Sequence, residues 1–147
     1  MSPEYQSIYF RNRYEVERPS SSPFIFSLEH FIDSTFFDRP FSIITACNPQ
    51  NTILSSEQNR ERNQQLYSSL YTKDYKILDA TGCLEGHCEA GYLIYDISLR
   101  EALELGLTYD QYTIFYCDTK YLKYVRCETE EVVVEKRRKE TLPESRP

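Results

Sequence analysis

The chain of 147 residues has no Trp and only four Gly. So few glycines make a phosphate-cradling loop hard to build. Neither G-x-G-x-x-G nor G-x-x-x-x-G-K-[ST] occurs, and H-E-x-x-H is absent too. No run of about 18 apolar residues exists, so no membrane-spanning helix is expected. Positive charge is also short: 17 Lys and Arg stand against 23 Asp and Glu, a net charge of -6. A whole-surface nucleic-acid binder should be basic, so nucleic acid is not expected as a partner. The opening MSPEYQSIYFRNRYE carries charges too early for a secretory signal. With five Cys, an odd count, these features predict a cytoplasmic, reduced protein whose cysteines are mostly free thiols.

What is present is apolar and aromatic. Forty per cent of the residues are hydrophobic, with thirteen Tyr and eight Phe, enough for a real core in one domain. The pattern predicts a small single α/β domain, a mixed sheet with helices packed on it and a C-terminal β-hairpin. Residues 1–40 read as an N-terminal strand and helix extension. There Ile8-Tyr9-Phe10 form a short strand, and Ser27 caps a helix bearing Leu28, Phe31, Ile32 and Phe36. Residues 41–127 are the α/β core, and 128–147 a charged, frayed tail. Within the core, Phe41–Cys47, Tyr75–Ala80 and Tyr92–Ile97 read as strands and Thr81–Gly91 as an irregular loop. A short helix, Leu99 to Leu105, is boxed by Ser98 and Glu101 and stops at Gly106. Tyr112–Cys117 and Tyr121–Arg126 make the hairpin around Asp118-Thr119-Lys120.

The most informative stretch runs from Phe41 to Leu70. A nearly all-apolar strand ends in Cys47-Asn48-Pro49, and Ser55 with Gln58 then opens a helix with a capping box. Asn59, Asn63, Leu66 and Leu70 share one face of that helix. Its second half aims carbons at the core, while its first half aims carboxamides. A buried amide without a partner costs roughly 1–3 kcal/mol, so each amide needs one. Thr45, Asn48 and the backbone near Pro49 lie across the turn to supply it, and Arg62 is one step round the helix. Two readings follow. The amides either lock turn to helix, or line a ligand pocket at a strand's carboxyl end and a helix N-terminus.

The segments ITACNP and LSSEQNRERNQQL resemble a bacterial family of unknown function, number 3293 in the domain-of-unknown-function series. Its members read I-T-A-W-N-P, then S-x-x-x-N-x-x-R-N-x-x-L. Ile44, Thr45, Ala46, Asn48 and Pro49 match the first part. Ser55, Asn59, Arg62, Asn63 and Leu66 match the second. Gly82, Glu89, Ser98, Ala102 and Gln111 are weaker echoes. The resemblance implies a small α/β domain without an assigned activity. It departs at Cys47, where the family has Trp, and this counts against Cys47 as a nucleophile.

These features point to a polar or anionic small ligand, a metabolite or nucleotide-like molecule, at the junction of strand 41–47 and helix 56–71. Thr45, Asn48, Asn59, Arg62, Asn63 and Gln111 would bind it, Arg62 meeting the negative group with its fork. Glu89, in the loop over the pocket, is the candidate for any acid–base chemistry. No cofactor is implied. Cys83, His87 and Cys88 have some of the look of a zinc site but lack a fourth ligand and a standard spacing. A Cys47–His87 catalytic pair would need the loop to cover the strand end. His30 and the Lys136-Arg137-Arg138-Lys139 block read as solvated. The alternative is a protein-interaction module, a regulator or inhibitor presenting Tyr-rich acidic surface, with the Asn cluster purely structural.

Overall fold

The computed structural model describes residues 8–19, 21–30 and 38–138. In chain order its strands are β1 Arg13–Arg18, β2 Ser21–Phe26, β3 Phe41–Ile44, β4 Ile77–Leu84, β5 His87–Tyr95, β6 Thr113–Cys117, β7 Tyr121–Arg126 and β8 Val132–Arg137. Helix α1, Ser56–Tyr71, follows β3, and α2, Leu99–Thr108, follows β5. One sheet of eight strands runs β2-β1-β4-β5-β3-β6-β7-β8.

Every pairing in that sheet is antiparallel, not mixed as the sequence predicts. The reason is how the crossovers are split. β3 and β4 both run against β5, so they point the same way, as a strand–helix–strand unit should. Yet β5, the return arm of a hairpin, lies between them. In the same way β3 separates β5 from β6. Each strand–helix–strand unit is thus divided by one antiparallel strand, the β-α-β-β-α-β arrangement of ferredoxin-like folds. A β1–β2 hairpin extends this core on the β4 edge, and β7 and β8 extend it on the other.

The helices cover one face. Leu66 and Leu70 of α1 and Ala102 and Leu103 of α2 pack on Ile44, Ile94, Ile114 and Val125. Among the described residues no helix pair covers the opposite face, and the sheet curls over that side instead. Tyr14 of β1 touches Phe115 of β6, ring centroids 5.2 Å apart, although three strands lie between them in the sheet. Lys136 of β8 donates to the Leu28 carbonyl just past β2, at 3.2 Å. The concave side therefore holds its own aromatic core: Tyr14, Phe26, Phe41, Phe115 and Tyr124.

Local differences from the sequence-based reading have physical causes. Thr81–Gly91 is no loop but the β4–β5 hairpin, turned by Glu85 (φ 51°) and Gly86 (φ 87°) in the double left-handed conformation of a two-residue hairpin turn. Ile8-Tyr9-Phe10 are helical, and β1 lies beyond them. Residues 132–137, inside the expected charged tail, form β8. Gly106 does not end α2, which runs on to Thr108. It is buried in the helix, and a Cβ there would fall 2.4 Å from the Cys127 sulfur. The helix expected around Phe31, Ile32 and Phe36 lies outside the described residues.

Gly91 is the tightest backbone approach in the sheet. A Cβ on it would sit 2.6 Å from the Ile44 carbonyl oxygen and 3.1 Å from the Thr45 backbone, neither of which can yield easily. Gly91→Ala is expected to lower unfolding free energy by about 1–3 kcal/mol in urea titration. Gly82→Ala should cost less, because its new carbon meets only the edge of the Tyr14 ring, at 3.1 Å. Equal stabilities for the two variants would contradict this account.

Candidate functional site

The end of β3 is held to α1 by side-chain amides. β3 stops at Ile44, and the backbone beyond it has left the ladder with β5. The orphaned Ala46 N–H donates to Asn63 Oδ1 at 2.9 Å, and Asn63 Nδ2 donates to the Ala90 carbonyl of β5 at 2.9 Å. One amide on α1 therefore joins two strands. Thr45 Oγ1 donates to the same Ala90 carbonyl at 2.6 Å. One turn earlier, Asn59 Oδ1 accepts from the Asn48 N–H at 2.9 Å, and its Nδ2 donates to Asn48 Oδ1 at 3.0 Å. Asn48 sits at φ 47°, a left-handed conformation that Asn tolerates.

Arg62 belongs to the same seam. Its Nε donates to the Ala46 carbonyl at 2.6 Å and an Nη to the Tyr109 carbonyl at 2.5 Å, with Asp110 Oδ2 at 3.9 Å. Gln111, buried, donates to the Cys47 and Tyr109 carbonyls at 3.0 and 3.1 Å. Asn59, Arg62, Asn63 and Gln111 thus spend these donors and acceptors on the turn itself.

A cavity of about 280 Å³ opens behind this seam, on the concave face of the sheet. Residue size explains it. On that face Ala80 pairs with Gly91, Gly82 pairs with Glu89, and Thr45 and Thr113 continue the floor. The neighbouring row carries Leu93, Ile43, Phe115 and Tyr124, which fill their space. Small side chains beside large ones leave a hollow. Tyr14, Tyr124 and Phe115 wall it, and the helical turn at 8–11 brings Ile8 and Tyr9 to its rim.

Among the polar groups lining this cavity are Asn12, Tyr14, Glu89 and Tyr124. Glu89 is oriented by Asn48, whose Nδ2 donates to its Oε2 at 2.8 Å. Asn12 Nδ2 donates to the Tyr124 hydroxyl oxygen at 3.1 Å. The Tyr14 ring stacks beside that of Tyr124, centroids 6.4 Å apart. Burial pushes the Tyr14 hydroxyl well above its usual range, with Tyr124 and Glu89 adding to the rise. Burial likewise raises Tyr124, to about 12. Both hydroxyls therefore keep their protons at neutral pH.

Of the residues singled out from sequence, Thr45, Glu89 and Gln111 line the cavity, and Asn48 reaches it through Glu89. Asn59, Arg62 and Asn63 lie on the helix side of the sheet. Cys83 and Cys88, the two cysteines beside His87, are joined by a disulfide across the hairpin and so are not free as zinc ligands. Among the described residues no group of three His, Cys, Asp or Glu could hold a metal. Cys47, Cys117 and Cys127, three of the five cysteines, are free and buried, as mostly free thiols are expected to be. The Cys47 thiol points at the Ala90 carbonyl, 3.5 Å away. His30 is exposed, as expected. Sequence reasoning missed Asn12, Tyr14 and Tyr124. The only signal was Tyr14 alternating with Val16 along β1.

Residues 44–114 match the model of a family described as a protein of unknown function (DUF3293). That span runs from the end of β3 into β6 and includes both the amide seam and the Glu89 wall. No curated protein and no solved structure shows detectable similarity to the chain. No helix among the described residues is long and apolar enough to cross a membrane.

Two expected outcomes follow from this geometry. Asn63→Leu strands the Ala46 N–H and leaves the Ala90 carbonyl to the Thr45 hydroxyl and the Cys47 thiol, so it should lower stability by about 1–3 kcal/mol in urea titration. A variant that melts higher than the parent would show that the amide is held at a cost to stability. The tyrosines give a pH signature. Their folded pKa values lie above the unfolded value of 10.0, so their contribution is complete below pH 10 and is lost as pH rises toward 12. Denaturant midpoints measured between those pH values should fall, and Tyr124→Phe should make the fall shallower.

Proposed function

We propose that this member of a family of unknown function is a small-molecule-binding domain, with its ligand in the cavity on the concave side of the sheet. The observation that carries the reading is the mismatch between the two faces. On the helix side the amides and Arg62 bond to the turn. On the concave side Glu89 and Tyr124 face open space lined by aromatic rings. A hollow of about 280 Å³ is near the lower end of ligand-pocket sizes, roughly 300–1,000 Å³.

The chemistry of the wall selects the ligand. Glu89 offers a carboxylate acceptor, already oriented by Asn48. Tyr124 offers a hydroxyl whose oxygen accepts from Asn12, so its own O–H can donate to a ligand. Among the described lining residues there is no Lys or Arg. The Glu89 carboxylate would repel an anionic group and no Lys or Arg offsets it, so the polar ligand is uncharged or cationic. Rings stacked on Tyr14, Phe115 and Tyr124 would bury well. A flat heterocycle with both a donor and an acceptor, of nucleobase type, meets all of these conditions.

The test is a ligand-observed NMR screen of neutral heterocycles and their carboxylated counterparts. Neutral compounds should bind, and carboxylated ones should not. Glu89→Gln should weaken binding about tenfold or more, the loss expected for a hydrogen bond to a charged group. Ala80→Leu, which fills the cavity floor, should abolish binding while the protein stays folded by circular dichroism. Compounds that bind Ala80→Leu as well as the parent would refute the reading.

A further inference from the structure

The Cys83–Cys88 bond is a poor staple and a good switch. It joins directly paired residues of β4 and β5, Cα atoms 4.1 Å apart and five positions apart in sequence. The eight-residue β4 ladder already holds those strands together, and the loop the bond closes is very short. Disulfides stabilise chiefly by restricting the unfolded chain, and more so for long loops. This one restricts little. Its position suits exchange instead. Cys88 is exposed and Cys83 partly so, whereas Cys47, Cys117 and Cys127 are buried. No other thiol of the fold competes for the reagent.

Between the two cysteines lie Leu84 and His87, the last pair of the ladder, and both line the cavity. Glu85 closes the turn in a left-handed conformation that Glu rarely adopts, and its carboxylate meets Arg11 at 2.8 Å. The cavity rim at this hairpin tip thus depends on one covalent bond, one surface ion pair and a strained turn.

We propose that Cys83 and Cys88 form a reversible thiol–disulfide pair that exchanges with a low-molecular-weight thiol, and that its redox state sets how firmly the hairpin tip closes the cavity. In reduction, the thiolate of the small thiol attacks Cys88 Sγ. The Cys83–Cys88 bond breaks, and Cys83 leaves as a thiolate that takes up a proton. A second small thiol then displaces Cys88, giving two protein thiols and one small-molecule disulfide. Two electrons enter the protein, and the small thiol is the reductant. The exchange stands on the hairpin geometry alone, and only its consequence for ligands rests on the binding role proposed above.

The test uses the whole chain and glutathione. Protein isolated without reductant should show no thiol reacting quickly with Ellman's reagent. After incubation in a large excess of reduced over oxidised glutathione it should show two, assigned to Cys83 and Cys88 by mass spectrometry, and re-oxidation should remove both. Reduced protein and the Cys83→Ser/Cys88→Ser variant should remain folded. Amide exchange should quicken from Gly82 to Glu89, reaching the cavity wall. A bond that resists excess glutathione, or a variant that fails to fold while excess dithiothreitol unfolds the parent, would overturn the proposal and make the bond a staple. Faster exchange confined to Glu85 and Gly86 would overturn the coupling to the cavity. None of these readouts needs a ligand, so they fail separately from the binding reading.

Discussion

The fold hinges on one carboxamide. Where β3 runs out, Ala46 must find an acceptor for its N–H and Ala90 a donor for its carbonyl, and Asn63 serves both. A buried backbone group left unpaired costs about as much as a lost hydrogen bond. Without Asn63 the buried Ala46 N–H would be stranded, and the Ala90 carbonyl would be left to Thr45 and Cys47. Helix α1 relies on it more than a typical amphipathic helix would. Of its sixteen residues only Asn63, Leu66 and Leu70 are buried. Two leucines are a thin apolar anchor, and the amides supply the rest of the attachment.

The anchoring seam and the cavity are thereby separated onto opposite faces. The helix side of the β3 end is closed by hydrogen bonds between groups that satisfy one another. The concave side is open because Ala80, Gly82, Gly91 and Thr45 have little or no side chain to fill it. Asn48 links the two faces. Its Oδ1 accepts from Leu54 N–H and from Asn59, and its Nδ2 reaches through to Glu89. The carboxylate facing the cavity is therefore set by the same turn that fixes the helix.

How much of this could be read in advance depended on whether the signal was local. The capping box of Ser55 and Gln58 forms in both directions, as its four-residue pattern implies. Asp118 accepts from the N–H groups of Lys120 and Tyr121 and makes the expected hairpin turn. The box at Ser98 is only half formed, since the Glu101 carboxylate is drawn to Tyr75 and Lys73 in the loop between α1 and β4. Partners of that kind are invisible to a window of residues. The amide stripe was visible as an anomaly of periodicity, and the partners suggested for it, around Thr45, Asn48 and Pro49, lie at the observed seam. The cavity was not visible. It arises from register, which brings Gly82 opposite Glu89 and Tyr14 opposite Gly82, and from a curl that no single strand encodes.

The docking of β1 on β4 carries a consequence for how the chain reaches its final shape. Arg13 pairs with Cys83 and Val16 with Ala80, so the β1–β2 hairpin is made long before the strand it rests on. Pairing so far apart in sequence closes a large loop before any reward arrives, which slows folding. Until β4 emerges, β1 presents a bare edge with Tyr14 and Val16 uncovered, a template for joining another chain. The charges of Arg13, Glu15, Glu17 and Arg18, alternating in part with those apolar residues, fall on the edge most in need of protection. Charges in such places keep a strand edge from pairing with another chain before its own partner is made.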